Sequence, residues 1–153
     1  MNRDEKLTRV RALPPLKRES DGRTLMHPVE PGGGTWISLN DAGNCLALVN
    51  WYSVSARAES PISRGEVVRK AAGADTIRAV DVMLEKLPLN RINPFRLVGV
   101  FSQPRTAVEW QWDLRKLVRK NHAWKARQWI SSGFDEPMAQ RLRKCANKSP
   151  REH

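Results

Sequence analysis

The stretch that most constrains this chain is Thr35-Trp36-Ile37-Ser38-Leu39-Asn40-Asp41-Ala42-Gly43-Asn44-Cys45-Leu46-Ala47-Leu48-Val49. Apolar and polar residues alternate from Thr35 to Leu39, as on a strand with one dry and one wet face. Asn40 to Asn44 then supply turn chemistry, because asparagine, aspartate and glycine accept tight or left-handed backbone. Cys45 to Val49 is almost continuously apolar, the composition of a strand covered on both faces. The stretch predicts a hairpin whose second strand lies inside a sheet.

Upstream, residues 6–31 contain Pro14, Pro15, Pro28 and Pro31 around Asp21-Gly22. Proline fixes φ and removes a donor, so this segment reads as an extended loop with a tight turn. Gly32-Gly33-Gly34 permits a sharp turn or a close backbone approach. It is no phosphate cradle, since a strand follows it and no Lys-Ser/Thr pair does.

Downstream the period changes. Ser63 with Glu66 fits a capping box opening a helix, with Val67, Val68 and Ala71 inward and Gly73 at its end. Asp75 or Thr76 starts a second helix that turns Ile77, Val80, Val82, Met83, Leu84 and Leu87 mostly to one side, and Pro88 stops it. Strands return at Phe95–Phe101 and Thr106–Trp112, joined by a turn at Gln103-Pro104-Arg105. The second puts Val108, Trp110 and Trp112 on one face and Glu109, Gln111 and Asp113 on the other. Further short strands are expected at Leu114–Val118 and Ala126–Ser131. Asp135-Glu136-Pro137 opens a C-terminal helix to about Lys144. Strands, then helices, then strands argue for an α+β fold.

The chain has 153 residues, 40% of them hydrophobic and 28% charged, which suits one domain with a real core. No run approaches eighteen apolar residues, so no membrane-spanning helix is expected, and the charged N-terminus lacks the apolar centre of a signal peptide. Cys45 and Cys145 lie a hundred positions apart and His27, His122 and His153 have no ligand spacing. Neither a disulfide, nor a metal, nor a cofactor is expected, and the cytoplasm is the default location. The net charge of +11 is uneven: residues 1–20 contribute +3 (six basic, three acidic), 21–110 contribute +1 (ten, nine) and 111–153 contribute +7 (eleven, four). That basic quarter could attract phosphate backbones, but no nucleic-acid motif accompanies it, and the spacing of Trp110 and Trp112 fits core packing better than base stacking.

Four features occur in order: Asn2-Arg3-Asp4-Glu5, Gly32-Gly33-Gly34-Thr35-Trp36, the Asn-turn-Asn hairpin running to Asn50, and Ser63-Arg64-Gly65-Glu66. Together they resemble the NRDE family, also called the Transport and Golgi organisation 2 family. The resemblance covers roughly residues 1–146 as a single domain, leaving 147–153 as a basic flexible tail. It implies an αββα sandwich similar to that of N-terminal-nucleophile (Ntn) hydrolases, acting on a small amide or related acyl substrate. In such enzymes a first-residue cysteine attacks, its α-amine serves as base, and amide donors hold the oxyanion. By this resemblance Arg3 and Asp4 fall beside the nucleophile, with Glu5 competing for the place of Asp4, and Asn50 matches an oxyanion-hole asparagine. Trp129-Ile130-Ser131-Ser132-Gly133 resembles a family stretch that often reads Ser-Asn-Gly, with Ser132 in place of the amide.

In the family the cysteine directly follows the initiator Met and begins a strand; here the signature abuts Met1. The expectation is a sandwich incomplete at the N-terminus, lacking the nucleophilic cysteine and inactive in that chemistry. The alternative is a non-catalytic carrier for lipid or haem, for which His27 and His122 are the available ligands. Simpler roles compete at each position: a local ion pair for Arg3 and Asp4, a strand end for Asn50, a small buried hydrophobe for Cys45.

Overall fold

Neighbours in sequence are neighbours in the sheet throughout. The computed structural model describes residues 13–20, 22–29 and 34–130. Its seven strands are β1 (Leu13–Ser20), β2 (Arg23–Val29), β3 (Ile37–Asn40), β4 (Cys45–Asn50), β5 (Phe95–Phe101), β6 (Thr106–Trp112) and β7 (Leu117–His122). Each pairs antiparallel with the next in sequence, so the order across the sheet is β1 to β7. Helices α1 (Gly65–Ala71) and α2 (Ile77–Glu85) fill the long connection between β4 and β5 and lie over one face. This is an α+β arrangement with one antiparallel sheet among the described residues. No helix among them is long and apolar enough to cross a membrane.

Strand alternation decides what the helices cover. Leu46 and Leu48 of β4, Phe95, Leu97 and Phe101 of β5, and Val108, Trp110 and Trp112 of β6 form one buried cluster with Val67, Val68, Ala71, Val80 and Leu84 of the helices. The tryptophans bury their rings without stranding their N–H groups: Trp110 Nε1 donates to Asp81 Oδ1 at 2.7 Å and Trp112 Nε1 to the Ile92 carbonyl at 2.9 Å.

The predicted hairpin is β3–β4, and its turn does more than reverse the chain. Asn40 Nδ2 donates to the carbonyls of Ala72 and Ala74, both at 3.0 Å, and Asn44 Nδ2 to that of Asp75 at 2.8 Å. The two asparagines thus satisfy the free carbonyls between α1 and α2, where helix ends leave acceptors without partners. Arg23 reaches Asp41 at 3.3 Å and Asp75 at 2.9 Å beside them.

Several local expectations are corrected. The proline-bearing segment forms a paired hairpin, β1–β2, rather than a loop; the register slips between Leu13 and Leu16, where Pro14 and Pro15 have no N–H to offer. The capping box does not form: Gly65 N reaches Ser63 Oγ at 3.3 Å, but the Glu66 carboxylate is taken by Arg69. The second helix is capped as expected, Thr76 Oγ1 accepting from Ala79 N at 3.1 Å. In place of a strand from Leu114, residues 113–116 make the turn, with Asp113 Oδ1 accepting from the amides of Arg115 and Lys116 at 2.8 Å each and Leu114 at φ 74°. Residues 126–130 are not a strand. The C-terminal helix expected from Asp135 lies outside the described residues.

Candidate functional site

The face of the sheet turned away from the helices carries a charged cluster that the alternation rule would leave to solvent. Arg96 of β5, Glu109 and Gln111 of β6 and His122 of β7 share this face by register. Glu109 is 2% exposed. Its Oε1 accepts from Arg96 Nε at 2.5 Å and from Gln111 Nε2 at 3.0 Å, and its Oε2 lies 3.0 Å from His122 Nε2. An ionised carboxylate only accepts, so the imidazole presents its Nε2–H to it. Burial opposes ionisation of Glu109, but hydrogen bonds from Gln111, Arg96 and Trp129 and the charge of Arg96 outweigh it, bringing the pKa down to about 2.

Trp129 meets the His122 ring edge-on, with centroids 5.8 Å apart and planes at 67°. Arg127 lies over the other ring system, its Cζ 5.9 Å from the Trp129 centroid. Between this segment and the sheet is a cavity of about 360 Å³, floored by Val100 and Ala107 and walled by Trp124, Lys125, Arg127 and Trp129. Floor and tryptophans are apolar, and the two cations at the rim are exposed, with no ion pair among the described residues. A cavity of this size and lining accommodates a small apolar body with an anionic end.

Cys45 belongs to the same row: it pairs with Val100, Val100 with Ala107, and Ala107 with His122. Three inter-strand steps of about 4.8 Å separate it from the imidazole, too far for a nucleophile–base contact. Burial pushes its thiol up, away from thiolate character.

Asn50 lies elsewhere. It has the parity of Leu46 and Leu48, facing the helix side, at the end of β4 that pairs with Phe95, whereas the cavity lies beyond the opposite end, at Val100. Its Nδ2 donates to the Tyr52 hydroxyl at 2.9 Å. Arg64 lies over the Tyr52 ring, 5.7 Å from its centroid, and Nη1 donates to the Pro94 carbonyl at 3.2 Å. Burial draws the Arg64 pKa below its usual value. Asn50, Tyr52 and Arg64 therefore form a second polar group, separate from the cavity.

Two sequence motifs meet beside it. An added Cβ at Gly65 would stand 2.9 Å from Thr35 N and 3.0 Å from Gly34 Cα, so the glycine-tryptophan stretch and the Ser-Arg-Gly-Glu stretch touch backbone to backbone. Because backbone cannot swing aside, Gly65→Ala is expected to lower stability by about 1–3 kcal/mol, read as a shift in the urea midpoint at constant slope. An unchanged midpoint would mean that the two motifs separate freely.

Of the residues singled out from sequence, Arg3 and Asp4 lie outside the described residues, as do Ser131, Ser132, Cys145 and His153. His27 is buried, with Nδ1 3.1 Å from the Pro28 carbonyl, and is far from any histidine pairing by sequence or strand. Among the described residues no group of histidine, cysteine and carboxylate side chains is arranged to hold a metal ion. The Arg96–Glu109–His122 cluster was missed. Its signal is single charges set between bulky apolar neighbours, Phe95-Arg96-Leu97 and Val108-Glu109-Trp110, whose partners lie thirteen residues apart.

The family model for Transport and Golgi organisation 2 matches residues 1–140. No curated protein matches the chain.

Proposed function

The chain belongs to the Transport and Golgi organisation 2 family, and on that premise we propose that it is a binding or carrier protein for small acyl or amide compounds, built on one half of an Ntn-hydrolase-like αββα sandwich. What supports the scaffold is the uneven treatment of the two faces. Helices cover one face. The other carries Ile37, Leu39, Cys45, Ala47, Val49, Val98 and Val100 in register, of which Val49 and Val98 are buried while Leu39 and its β2 neighbour Met26 are 46% and 49% exposed. An apolar face of this kind is what a second sheet packs against.

The observation that carries the ligand reading is the cavity over Val100 and Ala107, with its tryptophan walls and the exposed cations Lys125 and Arg127. An acyl chain would lie on the floor and against the rings, and a carboxylate or amide carbonyl would reach Lys125 or Arg127. Binding is favoured over hydrolysis because Asn50, the amide donor suggested by the family resemblance, sits on the other face and at the other end of β4 and β5. Octanoate titrated into the protein should alter tryptophan emission saturably. Ala107→Phe, which fills the floor, should weaken binding at least about tenfold. Equal affinity in the variant would rule out this cavity. Release of octanoate from N-octanoyl amides, abolished by Asn50→Ala, would instead make the protein a hydrolase.

A further inference from the structure

At the far end of β6 from the acyl cavity is a second cleft, of about 550 Å³, lined by Arg57, Arg91 and Arg115 together with Ser60, Asn90 and one carboxylate, Glu59. Each arginine comes from a different piece of chain: the loop after β4, the 3-10 turn Leu89–Arg91 and the β6–β7 turn. None has an ion pair among the described residues. Three arginines against one carboxylate leave the cleft wall with an excess of positive charge, which favours an anion there.

The walls are tied at several points. Asn93 Oδ1 accepts from Ala58 N at 2.9 Å, and Ile62 N donates to the Arg91 carbonyl at 2.8 Å, so the loop carrying Arg57 is fixed to the chain carrying Arg91. Arg57 Nη1 donates to the carbonyls of Val54 and Ala56. On the third wall, Leu114 adopts φ 74°, a conformation unfavourable for a bulky side chain, while its side chain packs on the core. With the Asp113 caps, that backbone fixes the turn that presents Arg115.

We propose that this cleft is a phosphate-binding site. A tetrahedral phosphoryl group accepts from more directions than a planar carboxylate, and so suits a cleft whose arginines come from three separate walls. Ser60 and Asn90 supply neutral donors. The site goes beyond the acyl reading and stands without it, because the two clefts share no residue.

Titration calorimetry of the full chain with inorganic pyrophosphate tests the site, with phosphatidylcholine vesicles containing phosphatidic acid as a second probe. Saturable pyrophosphate binding is expected, weakened about tenfold by Arg91→Gln or Arg115→Gln and strengthened several-fold by Glu59→Gln. Arg105→Gln, an exposed arginine in a different turn, should leave it unchanged. Vesicle association lost in the same two variants, with no binding of pyrophosphate, assigns the phosphate to a lipid headgroup. Equal weakening by Arg105→Gln, or no effect of Arg91→Gln and Arg115→Gln in protein whose unfolding transition is native-like, overturns the proposal.

Discussion

Glu109→Gln is expected to destabilise the protein by about 3 kcal/mol at neutral pH, and the loss should fade in acid. The carboxyl group ionises at about 2 in the folded protein against 4.5 in its ordinary setting. A folded-state pKa below the unfolded one adds stability that is complete above the unfolded value and disappears as the pH falls through the folded one. At about 1.4 kcal/mol per unit, the window between 4.5 and about 2 corresponds to roughly 3 kcal/mol. The substitution keeps the shape but removes the negative charge beside the Arg96 guanidinium, whose side chain is only 12% exposed. Breaking a buried pair from one side costs far more than the pair contributes against apolar replacements. Urea unfolding of both proteins at about pH 7, 5 and 3 is the measurement. The gap should be nearly constant from pH 7 to 5 and shrink by more than half by pH 3. A small gap, or one independent of pH, would show that Glu109 is hydrated and that the cluster contributes little.

How much of this was readable beforehand differs between backbone pattern and long-range polar contact. The β3–β4 hairpin, strands β5 and β6 and helix α2 follow from signals contained within each element: alternation, turn residues, and the Thr76 cap. Val108, Trp110 and Trp112 fell on the buried face as their spacing requires. The failures share a cause. Pro14 and Pro15 argued against a strand, but among the described residues they sit on the outermost strand of the sheet, where a missing N–H breaks few pairs. Ser63 and Glu66 had the spacing of a cap, yet Arg69, one turn on, competes for the carboxylate. Leu114 looked like a strand residue by composition, but it has a left-handed backbone in the β6–β7 turn and a partly buried side chain packed on the core. The site was less legible still. Glu109, Arg96 and His122 converge only through strand register, and the three arginines of the phosphate cleft come from loops whose docking no periodicity encodes. The asparagine turn was recognised as a turn, but its side chains serve the helix junction, a role visible only once Ala72, Ala74 and Asp75 are seen beside it.

Trp110→Ala should be the most damaging single truncation of the core, at about 3–5 kcal/mol. The ring is 1% exposed, meets Phe101 edge-on at 6.3 Å and ties β6 to α2 through Asp81. It fits only because Gly99 has no side chain. A Cβ there would stand 2.6 Å from Phe101 Cε2, 3.0 Å from the Trp110 ring and 3.2 Å from Leu46 Cδ2. Glycine inside a strand ordinarily weakens it, so this one exchanges local strand preference for room beneath two aromatic rings. Gly99→Ala is therefore expected to cost about 1–3 kcal/mol by overpacking, against the usual gain from replacing glycine. The two effects should not add. Without the indole the Phe101 ring that packs on it can move off the new methyl, so Gly99→Ala combined with Trp110→Ala should be less destabilised than the sum of the single variants by about 1 kcal/mol or more. Chemical unfolding of the four proteins at one pH measures the coupling. Simple additivity would mean that the ring edge does not press on Gly99, and that Phe101 or Leu46 alone sets the penalty at that position.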